Sequence, residues 1–130
     1  MNFQTPYFDK VNSTDEGFKL FGDTLNDNNS QLVIAVEGVL ETDNSDTFVN
    51  IIMNTLSNTD GLKKVIFDLK QLTYVSSTGL GSFTAILSKT KQLNIEIYFV
   101  NVNEKIQSVI DVLGFSRFFN IIDNITDVPA

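Results

Sequence analysis

Cysteine and histidine are both absent from this chain of 130 residues. Without cysteine there is no disulfide, thiol nucleophile, iron–sulfur cluster or thiolate zinc site. Without histidine there is no Ser–His–Asp hydrolase and no histidine-ligated metal. The expectation is a protein that is not an enzyme and holds neither cofactor nor metal. Positive charge is scarce too: nine Lys+Arg stand against sixteen Asp+Glu, a net charge of −7. Lys63-Lys64 and the looser Lys89/Lys91 set are the only basic groupings. Binding to nucleic acid or to an anionic membrane rests on a basic surface, so neither is expected. Long apolar runs are missing as well. The longest, Leu32 to Val36, has five residues, far short of a membrane span. Met1 to Pro6 lacks the basic region and apolar stretch of a signal peptide. These absences predict a cytoplasmic protein that does not insert directly into a membrane.

What is present builds a core. The chain is 42% hydrophobic and carries eleven phenylalanines. At this length one domain is expected, and folding buries well over half of the unfolded surface. A mean hydropathy of +0.04 argues against disorder, which needs too little apolar surface to offset ordering entropy. The acidic balance favours a partner with a basic face. It leaves the oligomeric state open, with a monomer or weak dimer expected.

Residues 1–16 are mostly polar apart from Phe3, Tyr7, Phe8 and Val11 and read as an N-terminal arm, either frayed or docked through Tyr7-Phe8. The domain proper is expected over 17–130. Phe18, Leu20 and Thr24-Leu25 suggest a strand. Asn26 to Asn29 read as a turn, since Asn and Asp tolerate left-handed backbone, and Leu32–Val36 as a buried strand. Together they predict an N-terminal β-hairpin over 18–37. Phe48, Ile51, Ile52 and Leu56 have helical spacing behind the candidate caps Asp43, Asn44 and Ser45, predicting a helix over 43–57. Val65 to Leu69 reads as a strand. Leu80, Phe83, Leu87 and Lys91 mark one stripe of a helix over 78–92. Ile95 to Val100 reads as a strand, Ile106 to Leu113 as a third helix stopped by Gly114, and Phe118 to Ile122 as a short last strand. Leu56, Ile66, Leu80, Leu87, Ile97 and Ile110 are the expected core. Alternating strands and helices imply crossovers and a mostly parallel sheet. The fold class is therefore α/β, a mixed sheet of four to five strands covered by α-helices.

The segment from Leu69 to Gly81 joins a strand to a helix. In open α/β sheets, sites gather where strand carboxyl ends lead into helix N-termini, whose unpaired N–H groups and positive dipole end attract anions. Ser76-Ser77-Thr78-Gly79 places three hydroxyls there. An ordinary N-cap cluster followed by a packing glycine accounts for them equally well. No Gly-Lys-Ser/Thr follows, as a P-loop requires. Val75 stands where a nucleophile elbow needs glycine.

From Asp68 through Gly81 the chain resembles the signature of STAS domains, specifically of anti-sigma factor antagonists. That family has an apolar strand, a Leu/aromatic loop, then Asp-Ser-Ser/Thr-Gly-Leu-Gly opening a helix. Val36-Glu37-Gly38-Val39-Leu40-Glu41 resembles the family's strand ending in Gly-x-Leu-Asp. Val100 to Asn103, the helix around Ile106–Leu113 and Gly114-Phe115 resemble its later strand, helix and exit, so the likeness runs from about Phe18 to Ile122. It implies a STAS-like fold and a phosphorylation-switched interaction module. The unmodified form would bind an anti-sigma factor that is also a serine kinase, phosphorylation of Ser77 would release it, and a cognate serine phosphatase would reset the switch. It further implies a partner-binding loop of Ser76, Thr78, Gly79, Leu80 and Gly81, joined by Glu41, which matches an acidic family position and is otherwise a solvated loop acid. An alternative within the same fold is a STAS subunit of a membrane transport or lipid-transport complex. The chain departs from the pattern at Ser76, where the family has Asp, which puts the partner's identity in doubt. It also ends at Ala130 with little room for the family's last helix.

Overall fold

The structure, a computed structural model, describes residues 2–3, 17–25 and 28–129. Its strands are β1 (Asn2–Phe3), β2 (Phe18–Leu25), β3 (Asn28–Leu40), β4 (Lys64–Asp68), β5 (Leu72–Val75) and β6 (Glu96–Val100). Its helices are α1 (Ser45–Ser57), α2 (Ser77–Gln92) and α3 (Glu104–Val112). Short 3-10 turns follow at Ser116–Phe118 and Ile125–Asp127. The rest of the N-terminal arm, with Tyr7 and Phe8, and the turn residues Asn26 and Asp27 lie outside the described residues.

The sheet is mixed. Its order is β1-β2-β3-β4-β6, with β5 also paired to β3. β1, β2 and β3 run antiparallel, while β4 and β5 lie parallel to β3, and β6 parallel to β4. This is the expected hairpin followed by crossovers through α1 and α2. The hairpin turn is tighter than the Asn/Asp run suggested, because Leu25 pairs with Asn28 and Asn28-Asn29 belong to β3.

One face of the sheet carries the main core. Phe18 and Leu20 from β2, Leu32, Ile34 and Val36 from β3, Val65 and Phe67 from β4, and Ile97 and Phe99 from β6 all point to it. Alternate strand positions share a face, so these residues follow directly from the two-residue period. Phe48 and Ile52 of α1, Phe83 and Ile86 of α2, and Ile106 and Ile110 of α3 close over them. Phe83 is the hub: its ring meets Phe48 and Phe67 at 5.3 Å, Phe99 at 5.4 Å and Phe119 at 6.4 Å, all edge-on. Edge-to-face contact is the arrangement that ring quadrupoles favour.

The other face holds a smaller cluster of Ile66, Tyr98 and Val100, covered by Ile122, Ile125 and Val128. Lys64 Nζ donates to the Pro129 carbonyl and ties down that C-terminal cover.

Five of the six expected core residues are buried; Leu87 is half-buried at the edge of the cluster. The buried stripe of α2 runs through Leu80, Phe83, Ile86 and Thr90 and leaves Lys91 in solvent. The expected line 80-83-87-91 takes two successive four-residue steps after Phe83, and a period of 3.6 residues turns it off the core. The last strand contracts to a single bridge between Phe99 and Ile121, framed by Phe99 N–H to Asn120 O and Ile122 N–H to Phe99 O, each at 2.9 Å. Leu72–Val75, expected within the segment that joins a strand to a helix, is itself a strand, β5.

Candidate functional site

The carboxyl ends of β3, β4, β5 and β6 meet at one pole of the sheet, and a change of partner along β3 shapes it. Residues 31–35 of β3 pair with β4, whereas Gly38, Val39 and Leu40 pair with β5. Between the two partners the chain turns at 69–71, with Leu72 N–H donating to Leu69 O at 3.1 Å and Gly38 N–H to Gln71 O at 3.0 Å. Gly38 accommodates the irregular pairing there. Its φ is +96°, and a Cβ would lie 2.4 Å from Gly17 O. Only glycine takes that backbone conformation without strain.

β5 delivers the chain to α2 beside the end of β3. Ser76 N–H donates to Leu40 O at 2.9 Å. A Cβ on Gly79 would lie 2.5 Å from the same oxygen and 2.9 Å from the Leu40 carbonyl carbon, so a side chain there would hold α2 off the strand. Gly81 is different: nothing lies within 4 Å of where its Cβ would be, and the helix surface at that point is open.

The three hydroxyls have three different surroundings. Ser76 is the N-cap, and its Oγ accepts from Gly79 N–H at 3.0 Å. Thr78 Oγ1 accepts from Thr42 Oγ1 at 3.2 Å, which links the start of α2 to the loop after β3. Ser77 is the first helical residue, is exposed, and has no side-chain hydrogen-bond partner among the described residues. An aspartate at 76 would also cap this helix; serine supplies the acceptor and drops the charge. The first turn of α2 holds no acidic residue, and Lys89 and Lys91 occupy its last turn. The positive dipole end beside Ser77 is therefore not offset by a carboxylate of the helix itself.

Glu41 directly follows β3, on the same pole as Ser77, with its side chain exposed. Its main chain is fixed: N–H donates to Asn44 Oδ1 at 2.9 Å, and its carbonyl accepts from Ser45 N–H at 3.0 Å and from Ser45 Oγ. Asn44 Nδ2 also holds Val39 O at 2.8 Å, so one asparagine spans the end of the strand and the start of α1. Leu80, expected in the partner-binding loop, is 1% exposed, so its side chain supports the loop from beneath. Gly79 is buried as well.

Sequence reasoning missed two residues of this pole. Tyr74 on β5 is 52% exposed and stands two residues before Ser76 in the chain. Thr42 is recognisable only through its contact with Thr78. Further along, Asp68 Oδ1 accepts from Lys70 N–H and Asn101 Nδ2, both at 3.0 Å. Asn103 caps α3 by accepting from Ile106 N–H at 2.9 Å and donates to Leu72 O at 3.0 Å. These contacts lock the neighbouring loops. Among the described residues there is no acidic cluster of metal-ligand type, and no helix is long and apolar enough to cross a membrane.

Known proteins are similar to this chain in sequence or in fold. An anti-sigma-B factor antagonist of Staphylococcus aureus is 27% identical over 62 residues, which are 48% of this chain and 57% of that protein. The chain thus spans a little over half the length of the curated relatives it matches. An anti-sigma factor antagonist from Mycobacterium paratuberculosis has a similar fold, with a TM-score of 0.72 at 16% identity over 88% of this chain and 92% of that one. The Bacillus cell fate determinant SpoIIAA, solved in its phosphorylated form, superimposes with a TM-score of 0.60 at 15% identity over 82% of this chain and 90% of that one. The STAS domain model matches residues 24–128, from the hairpin through the hydroxyl pole to the C-terminal cover, and the chain belongs to the STAS domain family.

Proposed function

We propose that this domain is an anti-sigma factor antagonist whose binding is switched by phosphorylation of Ser77. The observation that carries the reading is the division of labour among three neighbouring hydroxyls. Ser76 is occupied as a cap and Thr78 by Thr42, which leaves Ser77 exposed and without a partner among the described residues. The unmodified form binds an anti-sigma factor with serine kinase activity through the pole formed by Glu41, Thr78, Gly81 and Tyr74, and a serine phosphatase reverses the modification.

In the transfer, Ser77 Oγ forms a bond to the γ-phosphorus of ATP, the bond from that phosphorus to the bridging oxygen breaks, ADP leaves, and the hydroxyl proton passes to a base of the kinase. Positioning and charge neutralisation come from the kinase and its magnesium, so this chain need only present an accessible hydroxyl. The product carries about −1.5 to −2 added charge. At the N-terminus of α2 the helix dipole tolerates that charge. A protein face packed against Ser77 would have to desolvate it, so the complex separates without a change of fold.

The test uses such a kinase with ATP and mass-spectrometric mapping, beside binding assays of two variants. Ser77→Ala should fold, resist phosphorylation and still bind; Ser77→Asp should bind weakly. Ser76→Ala should lose about 1 kcal/mol of stability with its cap and remain a substrate. Phosphate confined to Ser76 or Thr78, or full modification of Ser77→Ala, would refute the assignment.

A further inference from the structure

A second concave site lies at the other end of α2. From Ser77 to Lys91 the helix rises about 20 Å at roughly 1.5 Å per residue. There the second half of α2, the start of β6 and the segment after α3 line an open cavity of about 560 Å³. That is within the range of about 300–1,000 Å³ usual for small-molecule pockets. Leu87, Ile95, Ile97 and Phe115 give it apolar walls, and Phe118, 62% exposed, adds a ring at its edge.

Charge distinguishes this cavity from an ordinary apolar groove. Lys91 and Arg117 line it, and no acidic side chain does, in a chain with sixteen Asp+Glu and only nine Lys+Arg. Among the described residues neither cation is ion-paired. Two unpaired cations beside an apolar cavity are complementary to an anion carrying a hydrocarbon tail: the tail removes Leu87, Ile95, Ile97 and Phe115 from water, and the head group takes charge-assisted hydrogen bonds. Other occupants fit less well. A two-fold dimer through this mouth would use the same patch twice and bring like cations together. An anionic bilayer would face a protein of net charge −7.

We propose that this cavity binds a small amphipathic carboxylate with the chemistry of a free medium-chain fatty acid. The site is independent of the Ser77 reading, shares no residue with it, and stands or falls separately.

The experiment titrates the full chain calorimetrically with sodium decanoate below its micelle concentration, and in parallel with decanol. Decanoate should saturate a single site, with decanol at least about tenfold weaker. The Lys91→Gln/Arg117→Gln double variant alters two exposed side chains and should keep its fold by circular dichroism. It should bind decanoate at least about tenfold more weakly and bind decanol as the unaltered protein does. Absence of saturable binding, equal affinity for decanoate and decanol, or a double variant with unchanged decanoate affinity would each overturn the proposal. So would sedimentation showing that the cavity is covered by a second copy, or co-sedimentation with phosphatidylglycerol vesicles in place of decanoate binding.

Discussion

At position 79 an added methyl group would meet backbone, and backbone cannot rotate away. The Leu40 carbonyl that it would strike also accepts the Ser76 amide, so relief would have to come from moving α2 or the end of β3. Gly79→Ala should therefore cost about 1–3 kcal/mol, the usual penalty for overpacking. Gly81→Ala should do the opposite. Its Cβ meets nothing within 4 Å, and replacing a helix-interior glycine by alanine gains about 0.5–1 kcal/mol. Urea denaturation midpoints of the two variants, moving in opposite directions, check both expectations. A stabilised Gly81→Ala protein that binds its partner less tightly would then report contact at that open surface rather than damage to the fold. Residue identity alone made the two glycines equivalent; only the approach of Leu40 separates them.

Among the elements, α2 connects the most parts of the molecule, and one ring does much of the connecting. Phe83 touches Phe48 of α1, Phe67 of β4, Phe99 of β6 and Phe119 beyond α3. Phe83→Ala should destabilise by about 3–5 kcal/mol, the range for large aromatic truncations in a core, measured by chemical denaturation. The three helices and the β2–β3 hairpin were legible in the sequence because each repeats its apolar spacing over several residues. β5 was not. Leu72-Thr73-Tyr74-Val75 is four residues long, buried only at its ends, and begins and ends beside turn and helix signals, so no period had room to develop. Its existence depends on β3 extending past β4, a tertiary fact. The C-terminal bridge at Ile121 failed in the other direction: an apolar run suggested a strand, and only one residue pairs. At the site, the order Ser76-Ser77-Thr78 and its place before a helix were readable. Which hydroxyl caps, which meets Thr42 and which stays open required the loop after β3 to be positioned.

Over the whole molecule, the two faces of the sheet are stabilised by different means, and pH distinguishes them. The helix-covered face is apolar, whereas the smaller cluster contains Tyr98, whose hydroxyl donates to Glu96 Oε1 at 2.6 Å. That hydrogen bond, then burial, then the carboxylate charge push the phenol from its usual 10.0 up to about 12. A raised value means that the fold favours the protonated ring. The stabilisation is complete below pH 10 and is lost as pH rises toward about 12. Phenolate absorbance of Tyr98 should therefore appear only near the top of that range, and Tyr98→Phe should remove this part of the alkaline loss of stability. The change of partner along β3 divides the molecule in another way. Residues 31–35 of that strand run in an uninterrupted ladder with β4, which is paired on its far side to β6, while the three residues from Gly38 to Leu40 hold β5 across an irregular register. Cooperative opening follows such divisions, with the less-paired unit opening at lower free energy. In deuterium-exchange measurements the amides of Leu72 to Val75 should label well before those of Val65 to Phe67. The sheet would then keep two clocks, a slow one that preserves the fold and a fast one beneath Ser77.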